Sequence, residues 1–533
     1  MKKMVALLLA AAMLVSLAAC GSNNSANNAN NSSTQNDSSS TDTETGGKTL
    51  HVGTQNVLGT LLPGDANGAC YWGEYLVYDY LFDYDDDGNI TSEILSDWYY
   101  EDELTFVVVL KDGITFANGD PMTGEDILFS VQTLVDRGTT TANWYNMIDF
   151  EASSVSEDGL TVRFVYTKPF GPGLAGGGTI YILDKSWCEE KGFDNIDDWT
   201  LNTNGSGPYE PVEYATDSHL TLQLRDDYWG DFEATADTVI IRHYADVSAM
   251  YMALETGELD IALNVNGPDY SRALEDDSID EFITYEGECI MFCLDTSNEA
   301  LADENVRLAI AYGVNWEEVA QSAMGEDMAQ VATSIISTIS PYYVNVGAYE
   351  YDFDKASSYM EAAGYPVDGT MKISLTMNTV DQAVKRNAAT VIQYYLQQLG
   401  IDFTVNYSDF PTAMSLWTQE GGTDTNFNDT NTGSPLIGEP YNFLQRYPAG
   451  QELFPGLRID DEKFIELFNT SSYSTDEEVR KEAYAEIQQL LKDKAYFIPM
   501  YESVKAIAYN PETIAECGLR SAIAANLRTV VMK

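Results

Sequence analysis

Glu103-Leu104-Thr105-Phe106, Leu110-Lys111-Asp112-Gly113-Ile114-Thr115-Phe116, Asn118-Gly119-Asp120-Pro121-Met122-Thr123 and Glu125-Asp126-Ile127-Leu128-Phe129-Ser130 follow one another in a single stretch of the chain. Leu104 to Leu110 is rich in β-branched and aromatic residues and reads as a strand, with Lys111-Asp112-Gly113 as the turn that ends it. Thr123 followed three places later by Asp126 is a helix-start signature, and Ile127, Val131, Leu134 and Val135 then share one helical face. The stretch therefore predicts strand, turn and amphipathic helix in close succession, the grammar of an α/β protein.

Outward from it the same grammar repeats. Upstream, Leu50 and Val52 open a strand, and an aromatic segment from Tyr71 to Phe82 places Leu76 and Tyr80 on one helical face. Asp83-Tyr84-Asp85-Asp86-Asp87-Gly88-Asn89-Ile90 matches the first half of a calcium loop, but its twelfth position is Ile94 where a Glu is needed, so an acidic turn is the better reading. Downstream, Leu160, Val162, Phe164 and Tyr166 alternate as a strand. Gly171-Pro172-Gly173-Leu174-Ala175-Gly176 satisfies G-x-G-x-x-G, yet Pro169 and Pro172 and the absence of a following amphipathic helix point to a mobile surface loop rather than a dinucleotide site. Further on, Asp246 caps a helix carrying Val247, Met250 and Leu254 that Gly257 stops. Ile373, Leu375 and Met377, a helix with Ala388, Ile392, Leu396 and Leu399, and alternating Ile401, Phe403, Val405 and Tyr407 make a β-α-β unit.

The opening stretch resembles the signature of extracytoplasmic solute-binding proteins of family 5, which includes the oligopeptide-, dipeptide- and nickel-binding receptors of ABC importers. The resemblance continues through Asn204-Gly205-Ser206-Gly207-Pro208-Tyr209, Arg225-Asp226-Asp227-Tyr228-Trp229-Gly230, Ala253-Leu254-Glu255-Thr256-Gly257-Glu258-Leu259-Asp260 and Val306-Arg307-Leu308-Ala309-Ile310-Ala311-Tyr312. It ends with Tyr484 to Leu491 and Phe497-Ile498-Pro499-Met500-Tyr501, and so covers about Leu50 to the C-terminus. It implies an α/β, two-lobe periplasmic-binding-protein-like fold (type II, cluster C), with an extra inserted domain and a hinge between lobes. The expected division is residues 49–82, 202–290 and 502–533 for lobe I, 83–201 for an inserted domain packed on lobe I, and 291–501 for lobe II.

The resemblance implies a receptor that captures a small solute, a short peptide in the first place, between closing lobes and delivers it to an ABC permease and ATPase. It implies a monomer without cofactor, catalytic residue or metal. Peptide receptors of the family carry a Trp and an Asp just before a Glu-Pro or Asp-Pro pair. Here Gly438-Glu439-Pro440-Tyr441 matches the pair, while Gly433 and Leu436 stand where Trp and Asp would be. The candidate ligand-binding residues are Asp424, Phe427, Asn428, Asp429 and Asn431 in a polar stretch, Glu439, and the aromatics Tyr71, Trp72, Trp417 and Tyr441 as cleft walls. The alternatives are the same fold binding a non-peptide solute such as an oligosaccharide, a sensor without transport, and an extracellular hydrolase.

Met1-Lys2-Lys3, an apolar run to Ala19 and Leu17-Ala18-Ala19-Cys20 have the layout of a secretory signal, and resemble the bacterial lipoprotein signal. Residues 1–19 are thus expected to be removed and Cys20 to carry lipid, anchoring the protein to the extracytoplasmic side of the membrane. Residues 20–48, rich in Asn, Ser and Thr, read as a disordered tether. With 84 acidic against 28 basic residues the net charge is −56, which argues against nucleic acid and anionic lipid surfaces as partners. Neither H-E-x-x-H nor G-x-S-x-G occurs, and His51, His219 and His243 are scattered, which disfavours nickel held by histidines and leaves metal chelates open. The remaining cysteines, Cys70, Cys188, Cys289, Cys293 and Cys517, are odd in number and dispersed, and read as packed thiols.

Overall fold

A sheet of ten strands runs the length of the fold in the computed structural model, which describes residues 47–56, 58–64, 70–85, 89–139, 142–174, 176, 179–193, 199–369, 372–419, 421–429, 439–449, 457–521 and 525–533. Its strand order is Ile401–Ser408, Ile373–Val380, Thr425–Asp429, Asp280–Leu294, Phe497–Tyr509, Ile261–Val265, Thr49–Thr54, Thr238–His243, His219–Leu224 and Tyr209–Ala215. Asp280–Leu294 and Phe497–Tyr509 are the longest of these. They pair antiparallel from Asp280↔Tyr509 to Cys293↔Phe497 in the middle of the sheet, and on their other sides Asp280–Leu294 pairs with Thr425–Asp429 and Phe497–Tyr509 with Ile261–Val265. The architecture is the two-lobe binding-protein fold.

Burial explains the register. In the first lobe the alternating Leu220 and Leu222 pair with Ile241 and Val239, and all four face a core that also holds Leu50, Val52 and Leu263. In the second lobe the β-α-β unit forms as its periodicity predicts. Ile373, Leu375 and Met377 lie beside Ile401, Phe403 and Val405 in parallel register, and the helix Ala383–Gln398 covers them with Ala388, Ile392 and Leu396. The Gly205 turn packs against the end of an early helix, where a Cβ at position 205 would overlap the Val77 carbonyl.

That early helix, Tyr71–Val77, is shorter than the aromatic spacing suggests. Tyr78 turns extended, and Tyr80 instead bridges to Tyr181. The cause is Asp79, whose buried carboxylate accepts from Arg528 Nη1 at 3.0 Å, Trp229 Nε1 at 2.7 Å and Tyr228 Oη at 3.2 Å. Three donors from two distant segments outweigh one more helical turn, and they tie the C-terminal segment to the region around Asp79.

The inserted segment forms a four-stranded antiparallel sheet, Leu95–Tyr100, Thr105–Leu110, Thr161–Tyr166 and Ile148–Val155 in that order. The helix Gly124–Asp136 packs on it and starts with the expected capping box between Thr123 and Asp126. Asp83–Tyr84 and Ile90–Thr91 make a hairpin in which Asp85 accepts from the Asn89 amide at 2.8 Å; Asp86 to Gly88 lie outside the described residues. The core of the inserted segment does not stop at its own boundary. Trp144, Phe164 and Phe170 belong to one apolar cluster with Tyr441, Phe468, Tyr484 and Phe497.

Candidate functional site

Glu439 meets the helix Glu477–Asp493. Arg480 and Tyr484 lie one turn apart on that helix's buried face, with Ala483, Ile487 and Leu491. Glu439 Oε2 receives Arg480 Nη2 at 2.6 Å and Glu439 Oε1 receives Tyr484 Oη at 2.6 Å. Arg480 Nε donates to the Ser471 carbonyl at 3.0 Å and Nη1 to Glu477 at 3.2 Å, so both members of the buried pair are fully engaged. Burial alone would lower the Arg480 guanidinium, but the Glu439 carboxylate and the neighbouring Tyr342 and Tyr484 together outweigh it, and the cation is held. Burial raises the Tyr342 and Tyr484 phenols well above their ordinary range and keeps them neutral donors.

The inserted segment closes over this pair. Its Gly-Pro-Gly stretch, expected as a mobile surface loop, is buried instead: the Gly171 amide donates to the Ser472 carbonyl at 2.8 Å, and Phe170 and Trp144 lie 5.0 and 5.5 Å from the Tyr441 ring. Lys168 Nζ reaches Tyr473 Oη at 2.9 Å, and Tyr100 Oη donates to the Phe170 carbonyl. Glycine is what permits the approach, since a Cβ at position 171 would fall 2.6 Å from Arg480 Nε and closer still to the Ser474 carbonyl. Beside this seam lies a cavity of 430 Å³, walled by Tyr84, Trp98 and Tyr100 on one side and Tyr342 on the other, with Glu439 and Arg480 lining it. Aromatic walls with a few polar groups are the composition of a small-molecule site.

A family model for bacterial extracellular solute-binding proteins, family 5, matches residues 89–452. The chain belongs to this family. It is 23% identical over 469 residues to the nickel-binding periplasmic protein of Escherichia coli strain K12, covering 83% of this chain and 86% of the relative. It is 23% identical over 459 residues to the dipeptide-binding protein of the same organism, covering 77% and 82%. The crystal structure of the ABC transporter substrate binding protein CtaP from Listeria monocytogenes superposes with a TM-score of 0.77 at 20% identity, over 91% of this chain and 99% of that one. The relatives are binding proteins of transporters, not enzymes.

In this family 5 protein the structure brings together only some of the residues that the sequence nominates. Glu439 and Tyr441 meet at the seam. Trp417 is buried, its Nε1 donating to the Asn378 carbonyl at 2.7 Å. Phe427 is 2% exposed and packs on Phe292 within an apolar core cluster. Asp424 accepts from the Thr376 amide at 2.7 Å and Asn298 Nδ2 at 2.8 Å, and so stitches strands rather than standing free. Tyr71 is 42% exposed and Trp72 is buried with its Nε1 unpartnered among the described residues; neither lines the cavity. The backbones of Asn428 and Asp429 pair with Met291 and Ile290, while their side chains, Asn431 and Cys20 lie outside the described residues.

Sequence reasoning missed Arg480, Tyr342, Trp98 and Tyr84. Arg480 had a signal: an arginine on the apolar face of an amphipathic helix needs a buried partner. The other three had none, because aromatic residues that line a cavity and those that fill a core share the same spacing.

Proposed function

We propose that this family 5 protein is the receptor of an ABC importer: it captures a short peptide between its lobes and delivers it to a membrane permease, as a monomer held to the extracytoplasmic face of the membrane by lipid on Cys20. Residues 49–82, 202–290 and 502–533 serve as lobe I, 83–201 as the inserted domain and 291–501 as lobe II. The observation that carries the reading is the aromatic-walled cavity at the seam between the inserted segment and the second lobe, in a chain of this family. A ligand touching both sides of such a seam stabilises the closed arrangement by its preference for it. The dipeptide-binding relative supports a peptide, and the leader Met1 to Cys20 supports the anchor.

A non-peptide solute such as an oligosaccharide is the second reading, favoured by one observation. Glu439 and Asp424, two carboxylates that could meet a peptide's ammonium group, are both occupied by protein partners. A thermal-shift screen of the chain from Lys48 onward against pooled di- to hexapeptides, oligosaccharides and calcium separates the two, since a ligand raises the melting temperature by mass action. A rise with peptides supports the first reading; silence from peptides with a rise from sugars replaces it by the second. Loss of labelled palmitate in Cys20→Ser, with label present in the parent, tests the anchor.

A further inference from the structure

The cavity at the Gly171 seam has an unusual charge balance. Four charged side chains line it, Glu439, Arg480, Glu477 and Lys481, and they are paired in series: Glu439 to Arg480 at 2.6 Å, Arg480 to Glu477 at 3.2 Å, and Glu477 to Lys481 at 3.9 Å. Two acids face two bases within the lining, Lys481 also reaching Glu478 at 3.4 Å outside it, and the Tyr342 hydroxyl donates to Glu477 at 3.3 Å. A charged ligand group entering here would leave water without gaining an uncompensated partner, which is costly.

The rest of the lining is built for rings. Trp98, Tyr100 and Phe106 come from adjacent strands of the inserted sheet, and Tyr100 meets Phe106 edge-on with centroids 4.9 Å apart. Tyr84 and Tyr342 complete the wall from the hairpin and from the second lobe. A further ring placed among these finds edge and face partners. At 430 Å³ the space is in the range of small-molecule sites.

We infer that this cavity is a subsite for an uncharged aromatic group of the captured solute, so that the protein selects solutes carrying such a group. The inference rests on the receptor reading and narrows its ligand class. Because the walls come from both sides of the seam, an occupying ring also links the inserted segment to the second lobe.

The test is isothermal titration of the chain from Lys48 onward with Ala-Phe-Ala, Ala-Ala-Ala and the uncharged probe N-acetylphenylalaninamide, repeated in two variants that fill the cavity. These are Thr475→Trp beside the helix and Ile90→Trp on the exposed hairpin, each first checked for a parental melting temperature. The expected result is that Ala-Phe-Ala binds at least about tenfold more tightly than Ala-Ala-Ala, and that the ratio falls to about one in the variants. Equal affinity of the two tripeptides, or a preference that survives both fillings, overturns the subsite and leaves the receptor reading standing. Binding of N-acetylphenylalaninamide that both fillings abolish, with no tripeptide bound, keeps the subsite and overturns the peptide reading. Silence from all three probes overturns the subsite, while the peptide reading stands or falls by the pooled thermal-shift screen.

Discussion

The Gly171 amide of the inserted segment donates to the Ser472 carbonyl of the second lobe at 2.8 Å, a main-chain contact across 301 positions of sequence that leaves no room for a side chain. The atoms a Cβ would strike, the Ser474 carbonyl and the Arg480 side chain, belong to the opposite side of the seam.

Gly171→Ala should therefore act on the seam and not on the inserted segment's own fold. We expect a larger radius of gyration by small-angle scattering and faster proteolysis at the seam, with the far-ultraviolet circular dichroism of the parent. An unchanged radius and unchanged proteolysis would show that the seam accommodates the methyl group.

Removing one partner of the Glu439 and Arg480 pair strands a buried charge. Glu439→Ala should cost about 3–5 kcal/mol in urea unfolding, and Glu439→Leu combined with Arg480→Met should recover most of it. If Glu439 instead serves the ligand, Glu439→Gln would abolish solute binding with little loss of stability, an outcome opposite to the one expected.

Asp424→Asn tests a nominated ligand residue that the structure makes structural. One carboxylate oxygen becomes a donor facing either the Thr376 amide or Asn298 Nδ2, so stability should fall by about 1–3 kcal/mol while the order of solute affinities is kept. A reordering of affinities at unchanged stability would return Asp424 to the ligand site.

Burial raises the Glu502 carboxyl above its ordinary value, against hydrogen bonds from the Thr338 amide and hydroxyl at 2.8 Å each. A carboxyl whose pKa is higher folded than unfolded binds more protons in the native state between the two values. Its penalty is therefore full above the folded value and relieved as pH falls through it. The melting temperature of the parent minus that of Glu502→Gln should rise as the pH is lowered from about 7 to about 4. Taking the difference removes the common effect of titrating the other carboxylates, and a flat difference would contradict the shift.

The elements were legible in the chain because their signals are local. The capping box at Thr123 and Asp126, the alternation at Leu220 and Leu222 and the periodic helix between two strands at 373–408 each depend on residues a few positions apart, and backbone geometry converts that spacing directly into a buried face. The wording of the segments from Leu104 onward carried the family as well.

The site was legible only in part, because its contacts join positions far apart in the sequence. Glu439 and Tyr441 could be nominated from a short motif, but Glu439 is satisfied by Arg480 and Tyr484, and Phe427 and Asp424 were drawn into core and strand contacts by partners the chain order does not announce. The sequence by itself determined the strands, helices, caps and family, since these follow from residue periodicity and local hydrogen bonding. Only the tertiary structure decided which polar groups were already paired, which aromatics filled the core and which walled a cavity, and that a glycine-rich run would be buried at a seam. Those outcomes depend on packing between segments, where the identity of the neighbour, and not the residue's own type, sets its free energy.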